Sequence, residues 1–194
     1  MQTKEIETFC PTSKADWREW LKKNHESKQS VWLVYHKKNS GVSSIAWSEA
    51  VDVALCFGWV DSRRKSVDNE KFIQFFSQRK TNTTWSKINK EKVQRLIDEG
   101  LMEKAGHSSI AIAKQNGSWA ILDKVEELKI PKDLNAAFKM KPGAKKLFLG
   151  LSKSVRKAML QWIVLAKRRE TRQKRITEVV ELAAQKMKPS GRSN

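Results

Sequence analysis

The chain has 194 residues, a formal net charge of +18 and 39% apolar residues. This length allows one large domain or two small ones without a disulfide or metal, and eight Trp and seven Phe exclude a mostly disordered chain. The longest apolar runs, such as residues 162–166, fall far short of the about 20 residues of a membrane-spanning helix. The first residues carry no apolar segment typical of a secretory signal, so we expect a cytoplasmic location.

Positive charge is concentrated at the C-terminal end. Residues 1–60 carry a net charge of +1 and residues 61–130 carry +4, whereas residues 131–194, with 17 basic and 4 acidic residues, carry +13. Such a field favours an anionic partner, which could be nucleic acid, an anionic membrane surface or an acidic protein. The change in composition predicts two units, 1–129 and 130–194, divided just before Pro131 because the residue before a proline disfavours helix.

The N-terminal part predicts helices around a small sheet. The pattern predicts a helix over 14–23 capped by Ser13, and then a strand over 31–36, where β-branched and aromatic residues are frequent. Ser48 is the expected cap of a second helix, which Gly58 ends.

A β-hairpin is predicted next. Two extended runs, 59–67 and 71–79, flank an Asp-Asn turn at 68–69. Because side chains alternate along a strand, the residues expected to share one face of the first run are Trp59, Asp61, Arg63 and Lys65.

Helices are predicted from there to the C-terminal end. One runs to Glu99 with inward apolar residues Ile88, Val93, Leu96 and Ile97, and two more cover 108–115 and 118–128. The last third is helical over 133–140, 143–149, 154–167 and beyond 176, with a break near 170–171 and a frayed tail over 189–194. We therefore expect an α+β fold, with a small antiparallel-containing sheet packed by helices in the N-terminal domain and an all-helical C-terminal region.

Familiar catalytic motifs do not occur in the sequence. It has no Gly-rich phosphate loop, no His-Glu-x-x-His and no Gly-x-Ser-x-Gly. Its two cysteines, Cys10 and Cys56, provide neither a disulfide framework nor a metal set, so no metal and no cofactor is expected. These observations favour a binding protein over an enzyme.

The hairpin holds one candidate anion site. Arginine offers a planar fork suited to phosphate or carboxylate, and nearby tryptophans offer stacking faces. The candidate ligand-binding residues are Trp59, Asp61, Arg63, Arg64, Arg79, Trp85 and Asn89. The alternative is a set of ion pairs that only fastens the hairpin to the next helix.

A basic run in the last third is the second candidate. It has few acidic neighbours, and cations that contact phosphates release counterions on binding nucleic acid. The candidate nucleic-acid-binding residues are Lys167, Arg168, Arg169, Arg172, Lys174 and Arg175. The alternative is a solvated helix face that keeps the protein soluble.

Five segments carry a family resemblance. Residues 54–61 with Arg63-Arg64 resemble the ALCFGW-[IV]-D-S signature of the bacterial and archaeal YdeI/OmpD-associated family, also called bacteriocin-protection proteins. Residues 76–80, 85–89, 100–106 and 162–176 resemble, in the same order, that family's FTPRR, WSxxN, GRMxxAG and WIxxAKxxETRxxRI segments. This sequence departs from the pattern at Gln78, Lys80 and Leu101, where the family has Pro, Arg and Arg.

The resemblance implies a protein that protects against bacteriocins or antimicrobial peptides, with no known reaction. We therefore expect a non-enzymatic binding or stress-protection protein that engages an anionic partner through its basic surface. Two alternatives stay open: an enzyme or small-anion binder with a pocket around Trp59, Asp61, Arg63 and Trp85, and a protein-interaction module.

Overall fold

The computed structural model describes residues 7–185 and divides the chain into two compact units, the first ending at Trp119 and the second beginning at Ala120. The first unit contains a four-stranded sheet and helices, and the described part of the second is helical. The predicted α+β class is confirmed. No helix within residues 7–185 is both long and apolar enough to cross a membrane.

The sheet of the first unit is mixed. Its strands are β1 (Thr8–Phe9), β2 (Ser30–His36), β3 (Trp59–Ser66) and β4 (Lys71–Gln78), in the spatial order β1-β2-β4-β3. β1 runs parallel to β2, and the other two pairs are antiparallel. The predicted strand over 31–36 and the hairpin are therefore present, whereas two-residue β1 is too short to leave a pattern in the sequence.

Four helices accompany this sheet. They are α1 (Lys14–Asn24), α2 (Trp47–Cys56), α3 (Lys87–Asp98) and α4 (Lys104–Gln115). Ser13 caps α1 as predicted, by accepting a hydrogen bond from the Asp16 N–H at 3.2 Å. The prediction of Ser48 as the cap of α2 is wrong, because the helix starts at Trp47 and its N-cap is Ala46, two residues earlier.

Helix α2 forms the centre of the first unit. Every residue from Ala50 to Cys56 is buried, and the helix contacts α1, β3, α3 and α4. Helix α3 turns Val93 and Leu96 inward as predicted. The prediction that Ile88 and Ile97 also point inward is wrong, since their exposed fractions are 65% and 37%.

A glycine brings α4 close to the end of α2. At Gly106, a Cβ atom would overlap the carbonyl oxygen of Cys56 and the end of the Met102 side chain. The Cys56 carbonyl also accepts a hydrogen bond from the Glu103 N–H at 3.1 Å. Backbone therefore packs on backbone at this contact, and only glycine leaves room for it.

Helices form the described part of the second unit. They are α5 (Asp123–Glu126), α6 (Lys132–Lys139), α7 (Ala144–Gly150), α8 (Lys153–Val164) and α9 (Arg169–Gln185). The core between them includes Leu134, Phe138, Phe148, Leu160 and Ile176. The predicted helix over 118–128 is mostly turn, and the break before the last helix falls at 165–168 rather than at 170–171. The tail predicted over 189–194 lies outside the described residues.

An ion pair joins α6 to α9 within this unit. Arg172 donates from Nε to one Asp133 carboxylate oxygen at 2.6 Å and from Nη2 to the other at 3.0 Å. Its Nη1 donates to the Ile163 carbonyl oxygen at 3.2 Å. The guanidinium lowers the pKa of the Asp133 carboxyl, chiefly through this hydrogen bonding.

The close approach at Gly106 predicts a large loss of stability on substitution. Gly106→Ala forces a methyl group against the α2 backbone, so we expect its free energy of unfolding to fall by about 3 kcal/mol. Gly150→Ala is the matched control, because Gly150 is also helical and has open space around it. Urea unfolding curves measure the free energy of unfolding of both variants. If the two variants were equally stable, α4 would not pack closely on the α2 backbone at Gly106.

The Asp133–Arg172 pair predicts an acid-sensitive contribution to stability. Because the folded state lowers the Asp133 pKa, this stabilisation is present above the ordinary carboxyl pKa of about 3.9 and is lost as the pH falls below it. Arg172→Ala should lower the free energy of unfolding by about 1 kcal/mol at neutral pH and flatten its decline below about pH 4. Lys174→Ala removes an exposed cation from the same helix and should change neither quantity.

Candidate functional site

A cavity of about 370 Å³ lies in the first unit, where several elements end or begin. Its walls come from the residues after α1, the start of β3, the end of β4 with the loop that follows, and one side of α4. Three of the predicted ligand-binding residues line it, namely Trp59, Arg79 and Trp85. The structure therefore brings together these three residues, which are separated by up to 26 positions in the chain.

Arg79 is the charged group of this cavity. Its guanidinium carbon lies 3.8 Å from the centre of the Trp85 ring, and its Nη1 donates to the Thr84 carbonyl oxygen at 3.1 Å. Its Nε and Nη2 are buried and have no hydrogen-bond partner within residues 7–185. Burial lowers the pKa of Arg79 to about 10, partly offset by the Asp61 carboxylate, so the group stays charged at neutral pH.

The two tryptophans are parts of the core as well as of the wall. Trp59 and Trp85 are each only 1% exposed. The indole N–H of Trp59 donates to the His25 carbonyl oxygen at 3.3 Å. The indole Nε1 of Trp85, in contrast, is buried without a partner among the described residues. Each ring is thus held rigidly in the wall of the cavity.

Gln78 fastens the segment that follows α1. Its side-chain amide donates to the carbonyl oxygens of His25 at 2.8 Å and Lys28 at 3.0 Å. Gln78 is one of the positions where the sequence departs from the family pattern, and a proline there would lack these donors. In this chain the departure therefore supports the cavity wall.

The other predicted ligand-binding residues lie outside the cavity. Asp61 accepts hydrogen bonds from Trp47 Nε1 and Gln74 Nε2, both at 3.1 Å. Asn89 is in the first turn of α3, where its backbone N–H donates to the Ser86 hydroxyl at 3.2 Å. The Asp61 carboxylate is therefore engaged with α2 and β4, and Asn89 belongs to the capped start of α3.

A β-bulge exchanges the faces of the sheet on which Arg63 and Arg64 lie. The register of β3 on β4 shifts between Asp61, opposite Phe76, and Arg64, opposite Gln74. The inserted residue reverses the alternation of side chains. The prediction that Trp59 and Asp61 share a face with Arg63 and Lys65 is therefore wrong.

The contacts of the two arginines show the same separation. Arg64 lies over the Phe72 ring at 3.8 Å, and Phe72 stacks on Tyr35, a buried core residue. Arg63 lies over the Phe75 ring at 5.1 Å, on the side of the sheet away from that core. Neither arginine lines the cavity.

Sequence reasoning missed the wall residues that come from distant segments. These are chiefly His25, Gln78, Ser108 and Ser109. None of them belongs to a motif that indicates a ligand, and the cavity unites them only through the tertiary fold. The one available signal was the Ala105-Gly106 pair, since small residues on a helix allow another backbone to approach closely.

The basic run of the last third divides into two groups. Arg172 is held by Asp133, and Arg175 donates to the Trp162 carbonyl oxygen at 2.5 Å and lies over the Trp162 ring. The remaining cations are exposed: Lys167, Arg168, Arg169 and Lys174. Nucleic-acid binding by this run stays a prediction, with four side chains free to take part.

Metal and thiol chemistry find little support in the described part of the chain. Residues 7–185 contain no group of three or more His, Cys, Asp or Glu side chains that would hold a metal ion. Cys56 is buried, and desolvation raises the pKa of its thiol. A raised thiol pKa disfavours the reactive thiolate form.

Two family models match the chain. Residues 9–109, just over half of it, match a model described as Domain of unknown function (DUF8412), and residues 127–186 match one described as Bacteriocin-protection, YdeI or OmpD-Associated. Neither the search of curated proteins nor that of solved structures found a significant match. The chain therefore belongs to the DUF8412 family through its sheet-bearing half and carries a YdeI/OmpD-associated, bacteriocin-protection domain in its C-terminal helices.

Proposed function

We propose that this protein is a binding protein that holds a small anionic group, a phosphate or a carboxylate, against Arg79 in the cavity of its first unit. The observation that carries the proposal is the buried guanidinium with two nitrogens that no described residue satisfies. A buried donor without an acceptor costs roughly 1–3 kcal/mol, and more when it is charged. An anion in the cavity would remove that cost.

The buried groups of the wall that lack a hydrogen-bond partner among the described residues are all of the type that binds an anion. Arg79 Nε and Nη2 and Trp85 Nε1 are all hydrogen-bond donors. Ionised phosphate and carboxylate each offer a pair of acceptor oxygens at the spacing of two N–H groups of a guanidinium. A cation or a neutral donor would gain nothing from this arrangement.

Charge in and around the cavity also favours an anion. Lys80 lines it beside Arg79, and the one carboxylate of its wall, Glu26, has a side chain that is 88% exposed to water. The stacking of Arg79 on Trp85 holds the guanidinium in one orientation before a ligand arrives. Such preorganisation reduces the ordering cost of binding.

The arrangement supports binding more than catalysis. The only histidine of the wall, His25, engages the Leu21 carbonyl oxygen of its own helix through Nδ1 at 2.9 Å. Neither Ser108 nor Ser109 hydrogen-bonds to that ring within the described structure. A nucleophile needs a base within such reach. We therefore place the molecular activity in the capture of an anionic molecule, in keeping with the protective role that the matched domain description names.

The proposal refines one of the alternatives that the sequence left open and keeps a role for the basic surface. The small-anion alternative keeps Trp59 and Trp85 but exchanges Asp61 and Arg63 for Arg79 as the polar contact. The basic surface then supplies long-range attraction, because a net charge of +18 raises the local concentration of anions around the whole molecule.

A thermal-shift titration tests the proposal. Inorganic phosphate, pyrophosphate and citrate are titrated into the full chain at constant ionic strength, with chloride as the reference. At least one of them should raise the unfolding temperature, since a ligand at 100 times its Kd stabilises the folded state by about 2.7 kcal/mol. Arg79→Gln should remove this rise, because it removes the charge and the fork.

Arg64→Gln provides the matched control. Arg64 also lies 3.8 Å over an aromatic ring, but it does not line the cavity, so this variant should keep the full anion-dependent rise. Isothermal titration calorimetry on the same proteins then gives the affinity directly. An equal loss in both variants would show general neutralisation of a basic protein and would overturn the proposal, as would the absence of any rise in the wild type.

A further inference from the structure

The sheet has a second face that the cavity does not use. We call it the outer face and define it by Trp32, Arg63, Lys65, Ile73 and Phe75. Trp32 lies directly opposite Phe75 in the register of β2 on β4, and Lys65 lies opposite Ile73 in that of β3 on β4. The inner face, with Leu33 and Phe76, belongs to the buried core.

Two aromatic rings form the middle of the outer face. The centres of Trp32 and Phe75 are 5.0 Å apart, with the rings inclined at 65°. Trp32 is 8% exposed, and two cationic side chains lie over its ring. Phe75 is partly exposed.

Those cationic side chains come from β3. Arg63 lies 5.9 Å from the Trp32 ring centre and 5.1 Å from that of Phe75, and the Lys65 ammonium lies 5.2 Å from that of Trp32. Within the part of the chain that the structure describes, neither cation forms an ion pair. The bulge in β3 places both on this face while Arg64 lies on the other.

Charge on the outer face is of one sign. Lys71 has the same outward register as Ile73 and Phe75 along β4. None of the four described strands carries an Asp or a Glu at an outward position, since the only acidic residue in them, Asp61, faces inward. The outward positions of the described strands therefore present three cations, Arg63, Lys65 and Lys71, and no carboxylate.

We propose that the outer face binds single-stranded nucleic acid, with bases stacked on Trp32 and Phe75 and phosphates held by Arg63 and Lys65. A cation over an exposed aromatic ring is held by only about 0.5–1 kcal/mol. A phosphate offers a stronger, charge-assisted partner. Moving Arg63 and Lys65 onto phosphates would also uncover the two rings for stacking.

The combination of rings and cations favours single strands among the possible anionic partners. An unpaired base has a free ring face that stacks on an aromatic side chain, whereas the bases of a duplex are already stacked on one another. An acidic protein or an anionic membrane surface would use the cations but leave the rings without a matching partner. The site shares no residue with the Arg79 cavity, so the two proposals stand independently.

Fluorescence anisotropy with a labelled oligothymidylate of about 12 nucleotides tests this proposal. The full chain is titrated at about 0.15 M salt and at two higher salt concentrations. The paired substitution Arg63→Gln with Lys65→Gln should weaken binding at least tenfold. It should also lower the salt slope by about 1.4, since each phosphate contact on a single strand contributes about 0.7.

A second variant tests the stacking separately from the charge. Phe75→Leu keeps an apolar side chain on the sheet and should weaken binding about tenfold while leaving the salt slope unchanged. Far-ultraviolet circular dichroism and the unfolding temperature show whether each variant is folded. Arg64→Gln removes the neighbouring charge from the opposite face and should change the affinity less than about threefold.

Several outcomes would overturn the proposal. One is the lack of binding by the wild type, and another is an equal affinity for a duplex of the same length. A loss with Arg64→Gln as large as that with the paired substitution would assign the effect to net charge alone.

If only the substitution of the exposed cations Lys167, Arg168, Arg169 and Lys174 by Gln abolished binding, the contact would lie in the second unit. Arg79→Gln should leave oligonucleotide binding unchanged, which separates this test from that of the cavity.

Discussion

The packing of α4 on the end of α2 determines where the cavity lies. Gly106 allows the helix to meet the Cys56 carbonyl, and that carbonyl accepts the Glu103 N–H. Two residues after Cys56, Gly58 turns the chain into β3 with a φ of +70°, and a Cβ there would meet the Ala105 carbonyl oxygen at 3.0 Å. Two backbone contacts thus fix α4 beside the start of β3. Ser108 and Ser109 follow the contact residues Ala105 and Gly106 on α4, and they line the cavity.

The β-bulge in β3 is the second constraint, and it decides which charges act together. Three consecutive basic residues, Arg63 to Lys65, would alternate faces in a regular strand. In a regular strand Arg63 and Lys65 would share the inner face with Asp61, whereas the bulge turns both over the aromatic pair of the outer face and turns Arg64 over Phe72 on the inner side. The inserted residue therefore separates these two cations from the Asp61 carboxylate and places them beside the rings of Trp32 and Phe75.

Much of the fold follows from local patterns in the sequence, whereas most of the site does not. Helices α1 and α3 have serine caps and apolar residues at helical spacing, so their bounds are predicted within a residue or two. Strand β1 and the bulge leave no periodic signal. Arg79 and Trp85 are predicted because they are close in sequence and chemically suited to an anion. His25 and the serines of α4 enter the cavity through long-range packing that no local pattern encodes.

The two proposed anion sites differ in the desolvation free energy that their cations cost the folded protein. The cations of the outer face are exposed to water, so they cost little in the absence of a partner and their attraction is strongly screened by salt. Arg79 is buried with unsatisfied nitrogens, so the fold carries a desolvation cost until an acceptor arrives. Arg79 therefore lowers the stability of the fold, and the binding of an anion would offset that loss. Its attraction for an anion is also less screened, because little water separates the two charges.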